Sequence, residues 1–306
     1  HLQCPQMAIT PSLLHAIGAA CPQLRVLVVQ TIPGGGRQYP AAMWADAVRA
    51  LPASITTLAW DVAQRATPHP PVLAAATQLT GLTSLALGAW PGSNVDTLAP
   101  LAPGLTALRF AQCPGYAFPR LPTALLRACS GTLTQLAACI DPPQLSQLVQ
   151  LVPNLNSLTF AQQLGFRFPY PAELLPLTQL SGLTQLTLNS QSLVASMIDL
   201  LAEQPCHLPG LRQLALLPLS GYEYSSYDRL RAENCKPLPL DILASLVEQV
   251  ACNLAGPQCG VVLGVPLDVA ILPNGKAEEV LVGILRRRQV ATVLPGVMGH
   301  DSAYVA

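Results

Sequence analysis

Residues 82–87 read LTSLAL, with Leu82, Leu85 and Leu87 separated by two positions and then by one. The same phrase recurs at Leu24/Leu27/Val29, Ile55/Leu58/Trp60, Leu105/Leu108/Phe110, Leu133/Leu136/Ala138, Leu155/Leu158/Phe160, Leu183/Leu186/Leu188 and Leu211/Leu214/Leu216. Counted from the first apolar residue of each copy, the spacings are 31, 27, 23, 28, 22, 28 and 28 residues. Self-similarity at such a period marks a solenoid, in which one unit buries its apolar face only against its neighbours. A period in the upper part of the roughly 20–29 range leaves room for a strand and a helix in each unit.

Segments suited to helices fall between the phrases: Pro11–Ala20, Ala41–Ala50, Pro122–Cys129, Pro143–Leu151, Pro171–Leu177 and Gln191–Glu203. Several open with Pro, whose missing N–H would have no intrahelical partner in a first turn. Many close on Pro or Gly just before the next phrase, as at Pro22, Pro52, Gly81, Gly104, Pro153, Gly182 and Pro209-Gly210.

On these residues the chain resembles leucine-rich repeat proteins of the longer-repeat, ribonuclease-inhibitor-like and F-box-associated kinds, over about residues 20 to 220. The resemblance implies an α/β solenoid (horseshoe) with a parallel concave β-sheet, convex helices and a C-terminal α/β cap. It also implies an interaction surface, or a substrate-recognition adaptor of a ubiquitin ligase. The adaptor reading requires an F-box upstream of His1, since no such helix pattern occurs in this sequence. One departure stands out. Eight residues after the first apolar position, where the family places an Asn or Cys ladder, this chain has Ile32, Ala63, Trp90, Cys113, Asp141, Gln163, Gln191 and Leu219. Only Cys113 fits, so irregular turns after the strands are expected.

The expected organisation is an N-terminal capping helix at 1–20, about eight repeats over 21–220, a Tyr-rich inserted loop at 221–239 and a C-terminal repeat and cap at 240–306. In the last part, Leu240–Asn253 has helical periodicity, Val261–Leu263 and Val269–Leu272 read as strands, and Lys276–Arg288 reads as a closing helix. Glu278 and Glu279 lie early in that helix and Arg286 to Arg288 late, as the helix dipole prefers. A cap is needed because a bare end would leave apolar surface and a strand edge in water.

Composition narrows the function. Hydrophobic residues make up 51% of the chain and charged residues 10%, well under the usual share of about 25%. Such a poorly solvating surface suits a permanent subunit, although drift in a GC-rich genome produces the same bias. Formal charge is zero and no dense basic stripe exists to displace counterions from phosphates, which argues against nucleic acid. The uncharged stretch from Leu174 to Ile198 carries too many polar residues for a membrane span. Nine irregularly spaced cysteines and the lack of an Asn-x-Ser/Thr acceptor fit a reducing intracellular compartment, cytoplasmic or organellar. The chain begins at His1 with no apolar signal segment, so a targeting peptide or a preceding domain is expected upstream.

Side chains alternate across a strand. With the second and third apolar residues of each phrase inward, the outward positions run through Val26 and Val28, Thr57 and Ala59, Ser84 and Ala86, Ala107 and Arg109, Gln135, Ala137 and Cys139, Ser157 and Thr159, Gln185 and Thr187, and Gln213 and Ala215. These form a smooth, neutral trough for a helix or an extended segment. Arg109 is its lone cation near the middle, a polar anchor or a solvated charge. The candidate contacts in the trough are Arg109, Gln135, Thr159, Gln185, Thr187 and Gln213. On the rim they are Tyr222, Tyr224, Tyr227, Arg229 and Arg231, because Tyr and Arg dominate the energetic centres of interfaces. The alternative for the tyrosines is packing over the last repeat.

Chemistry finds little support. Gly34-Gly35-Gly36-Arg37 lacks the Lys-Ser/Thr of a phosphate loop. Cys206-His207 and Cys252 with Cys259 lack zinc-ligand spacing. His15, His69 and His300 have no nucleophile or carboxylate at motif spacing. A hydrolase or transferase carried on the C-terminal segment is the remote alternative. The sequence thus points to a non-catalytic scaffold with other protein subunits as partners, no small-molecule substrate, no metal and no cofactor.

Overall fold

The computed structural model describes residues 2–4, 9–31, 39–62, 70–87, 92–110, 121–161, 171–189, 208, 210–216, 260–264 and 291–294. The Tyr-rich segment 221–239, the helix candidates at 191–203, 240–253 and 276–288 and the strand candidate at 269–272 lie outside them. The chain divides into two compact units, His1–Leu155 and Asn156–Ala306.

In the first unit, strands β1 (Leu2–Cys4), β2 (Val26–Thr31), β3 (Thr57–Val62), β4 (Ser84–Leu87), β5 (Ala107–Phe110) and β6 (Gln135–Cys139) pair in chain order. Every pairing is parallel. The register aligns the phrases themselves: Leu27 faces Leu58, Leu58 faces Leu85, Leu85 faces Leu108 and Leu108 faces Leu136. In the second unit β7 (Ser157–Ala161), β8 (Gln185–Asn189), β9 (Gln213–Leu216), β10 (Gly260–Gly264) and β11 (Ala291–Leu294) do the same, with Leu158, Leu186, Leu214 and Val261 in one line. β1 precedes the first phrase and β11 follows the last expected strand, and neither is anticipated from the sequence.

Helical connections alternate with the strands. They are α1 (Pro11–Ala20), α2 (Ala41–Arg49), α3 (Pro70–Ala76), α4 (Thr123–Ala128) and α5 (Leu145–Leu151) in the first unit, and α6 (Pro171–Leu174) in the second. α1, α2, α4 and α5 lie within the segments expected to be helical. Among the described residues, the connection from β4 to β5 is built of 3₁₀ turns over Gly92–Gly104. Pro100 and Pro103 withhold two N–H donors there. Val95, Leu98 and Leu101 recur every third residue and are all buried, matching the three residues per turn of a 3₁₀ helix.

The core lies between strands and helices. Among the described residues of the eight phrases, none of the apolar triplet is more than 6% exposed. Leu14 of α1, Val48 of α2, Leu73 of α3, Leu125 and Leu126 of α4 and Leu145 and Leu148 of α5 supply the other side. The helices pack so closely that a Cβ at Gly18 would overlap the Ala50 carbonyl oxygen at the end of α2.

A repeated backbone joint fastens consecutive rungs. The amides of Thr83 and Ser84 donate to the Thr56 carbonyl at 2.8 and 3.0 Å, and the Thr83 hydroxyl donates to the same oxygen at 3.1 Å. Thr56 bonds the Arg25 carbonyl in this way, Thr106 that of Thr83, Thr134 that of Thr106 and, in the second unit, Thr184 that of Asn156. These threonines form a hydroxyl ladder one residue after the first apolar position, ahead of the strand rather than after it. One residue before the first apolar position, Ser54 donates to the carbonyls of Pro22 and Leu24, Thr132 to that of Ala102 and Asn154 to that of Ser130. Where that position is Gly81, there is no room for a side chain: a Cβ would lie 2.9 Å from the Ala53 carbonyl oxygen.

Candidate functional site

The face of the strands turned away from the helices follows from the same alternation. In β4 and β5 each residue is in turn half-exposed and buried: Ser84 and Ala86 outward, Leu85 and Leu87 inward; Ala107 and Arg109 outward, Leu108 and Phe110 inward. Parallel sheets are ordinarily covered on both faces. Here, within each unit, one face keeps partly accessible side chains, from Val26 to Ala137 in the first and from Ser157 to Thr187 in the second.

In the first unit the outward row running through Thr57, Ser84, Ala107 and Gln135 ends on an exposed amide, and the next row runs through Val28, Ala59, Ala86, Arg109 and Ala137. Gln135 pairs with Ala107, two residues before Arg109, so Arg109 and Gln135 sit diagonally on adjacent rungs. Arg109 is half-buried and its side chain is the only cation on these two rows among the described residues. Its register partners on the flanking strands, Ala86 and Ala137, are small and neutral.

In the second unit Ser157, Gln185 and Gln213 occupy one register row and Thr159, Thr187 and Ala215 the next. Gln185 and Gln213 are exposed and directly opposite each other, about 4.8 Å apart in the strand-to-strand direction. Ser157, Thr159 and Thr187 are half-buried, and Ala215 is buried at 8% exposure. The face therefore presents amide and hydroxyl groups that both donate and accept, with no formal charge.

The geometry brings Gln185, Gln213, Thr159 and Thr187 together on one face, and Arg109 and Gln135 together on another stretch of strand. Tyr222, Tyr224, Tyr227, Arg229 and Arg231 lie outside the described residues. Cys139, which alternation places outward, is buried at 4% exposure beside buried Ala138 and Ile140 at the end of β6. The Thr ladder is the feature sequence reasoning missed. Its signal is plain in the phrases, where Thr follows the first apolar residue at positions 56, 83, 106, 134 and 184.

At the end of β3, Trp60 forms an edge contact with Trp44 of α2 at 5.5 Å between ring centres, and Trp44 forms another with Tyr39 at 6.2 Å. Next to Trp44, Met43 is 42% exposed. Among the described residues no three His, Cys, Asp or Glu side chains converge on a common point, and no helix is long and apolar enough to cross a membrane.

Adjacent parallel rungs whose leucines align position for position decide what the repeats are. The rungs have the fold of leucine-rich repeats. No protein-family model matches the chain, and no curated protein matches it. Among solved structures, the leucine-rich repeat-containing protein LegL7 from Legionella pneumophila is similar, at 17% identity and a TM-score of 0.48, over 92% of this chain and 85% of that one.

Proposed function

We propose that this chain is a non-catalytic protein–protein interaction scaffold and a structural subunit of a larger protein assembly. The observation that carries the reading is the partly open strand face, with Ser157, Gln185 and Gln213 in one row beside Thr159 and Thr187. Small outward side chains let another backbone approach the sheet closely, and neutral amides and hydroxyls can be satisfied by a partner's peptide groups without burying an unpaired charge. A chain with only 10% charged residues gains by keeping such a face covered. Arg109 and Gln135 extend the same kind of surface in the first unit, and Tyr222, Tyr224, Tyr227, Arg229 and Arg231 complete the proposed contact set.

The test is site-specific photo-crosslinking from Gln185 and Gln213, with exposed Ala172 of α6 as a control position. A partner recovered in fixed stoichiometry and crosslinked from both glutamines, but not from Ala172, is the expected result. Crosslinks from Ala172 alone, or a chain that purifies as a free monomer and crosslinks to nothing, overturn the reading. Replacing Tyr222, Tyr224 and Tyr227 by Ala should weaken retention of that partner while leaving the thermal transition in place. Undiminished retention removes that segment from the interface.

A further inference from the structure

We draw no further inference here: the strongest candidate, the aromatic cluster of Tyr39, Trp44 and Trp60 with exposed Met43 beside it at the start of α2, is an apolar surface patch, and nothing in the structure shows what covers it.

Discussion

The carboxylate of Asp96 accepts a hydrogen bond at 3.0 Å from the backbone N–H of Leu125. Leu125 is the third residue of α4, whose N-cap position is Pro122, a residue with no side-chain acceptor. The preceding repeat thus supplies the cap that α4 cannot supply for itself, and helix capping becomes a contact between repeats. Asp96→Ala should lower stability by about 1 kcal/mol, the usual cost of losing an N-cap acceptor. Asp96→Asn keeps an acceptor oxygen and should lose less. Urea denaturation of the two variants checks the order.

The hydroxyl ladder predicts a second ranking. Thr83→Val preserves shape and branching but deletes the 3.1 Å bond to the Thr56 carbonyl. That oxygen still receives two backbone N–H groups, so it is not orphaned and the cost should stay near 0.5–1.5 kcal/mol. Thr83→Ser restores the hydroxyl and should fall between wild type and Val. Denaturation midpoints at constant m-value would show this, and equal midpoints for Ser and Val would remove the hydroxyl from the account.

Gly18 predicts a larger effect for a single methyl group. The Ala50 oxygen that a Cβ would meet is backbone, so α1 and the end of α2 must move apart to admit it. Gly18→Ala should destabilise by roughly 1–3 kcal/mol even though Ala is the better helix former. A stabilised variant in thermal unfolding would show that the two helices yield freely.

The pH dependence centres on Cys129, fully buried at the end of α4, where burial pushes its thiol up from an ordinary 9.0 to about 11. Above pH 9.0 the unfolded chain releases this proton while the folded chain keeps it, so alkali favours unfolding. The thiol's contribution is complete below pH 9.0 and is lost as pH rises toward about 11, at about 1.4 kcal/mol per unit of difference between the two values. Stability of wild type minus that of Cys129→Ala, followed by denaturation from pH 8 to about 11, should therefore decline across that interval. A flat difference would show that the folded chain does not hold the proton.

The strands were readable because the pattern that buries Leu85 and Leu87 is also what aligns them with Leu58 and Trp60 in one rung and with Leu108 and Phe110 in the next. α1, α2, α4 and α5 announced themselves through apolar spacing and terminal prolines. α3 did not: Pro70-Pro71-Val-Leu-Ala-Ala-Ala carries no polar face to reveal a period, and its helix is held by the buried side of Val72, Leu73, Ala75 and Ala76. The turns over Gly92–Gly104 followed a three-residue period that a search for a helical stripe overlooks. The outward positions of the sheet follow from alternation, though two of them, Cys139 at the end of β6 and Ala215 in β9, are buried.

Thr56, Thr83 and Thr106 each reach back to a carbonyl, and their own carbonyls accept from the threonine of the rung that comes after. A duplicated segment inserted between two such rungs finds the same docking oxygen and offers the same one onward, so the array can lengthen or shorten by whole modules without new chemistry. The repeats, from 22 to 31 residues long, are free to vary in their connections because this joint lies at the start of the strand and does not depend on them. Gene-level gain or loss of single modules is the change this architecture tolerates best.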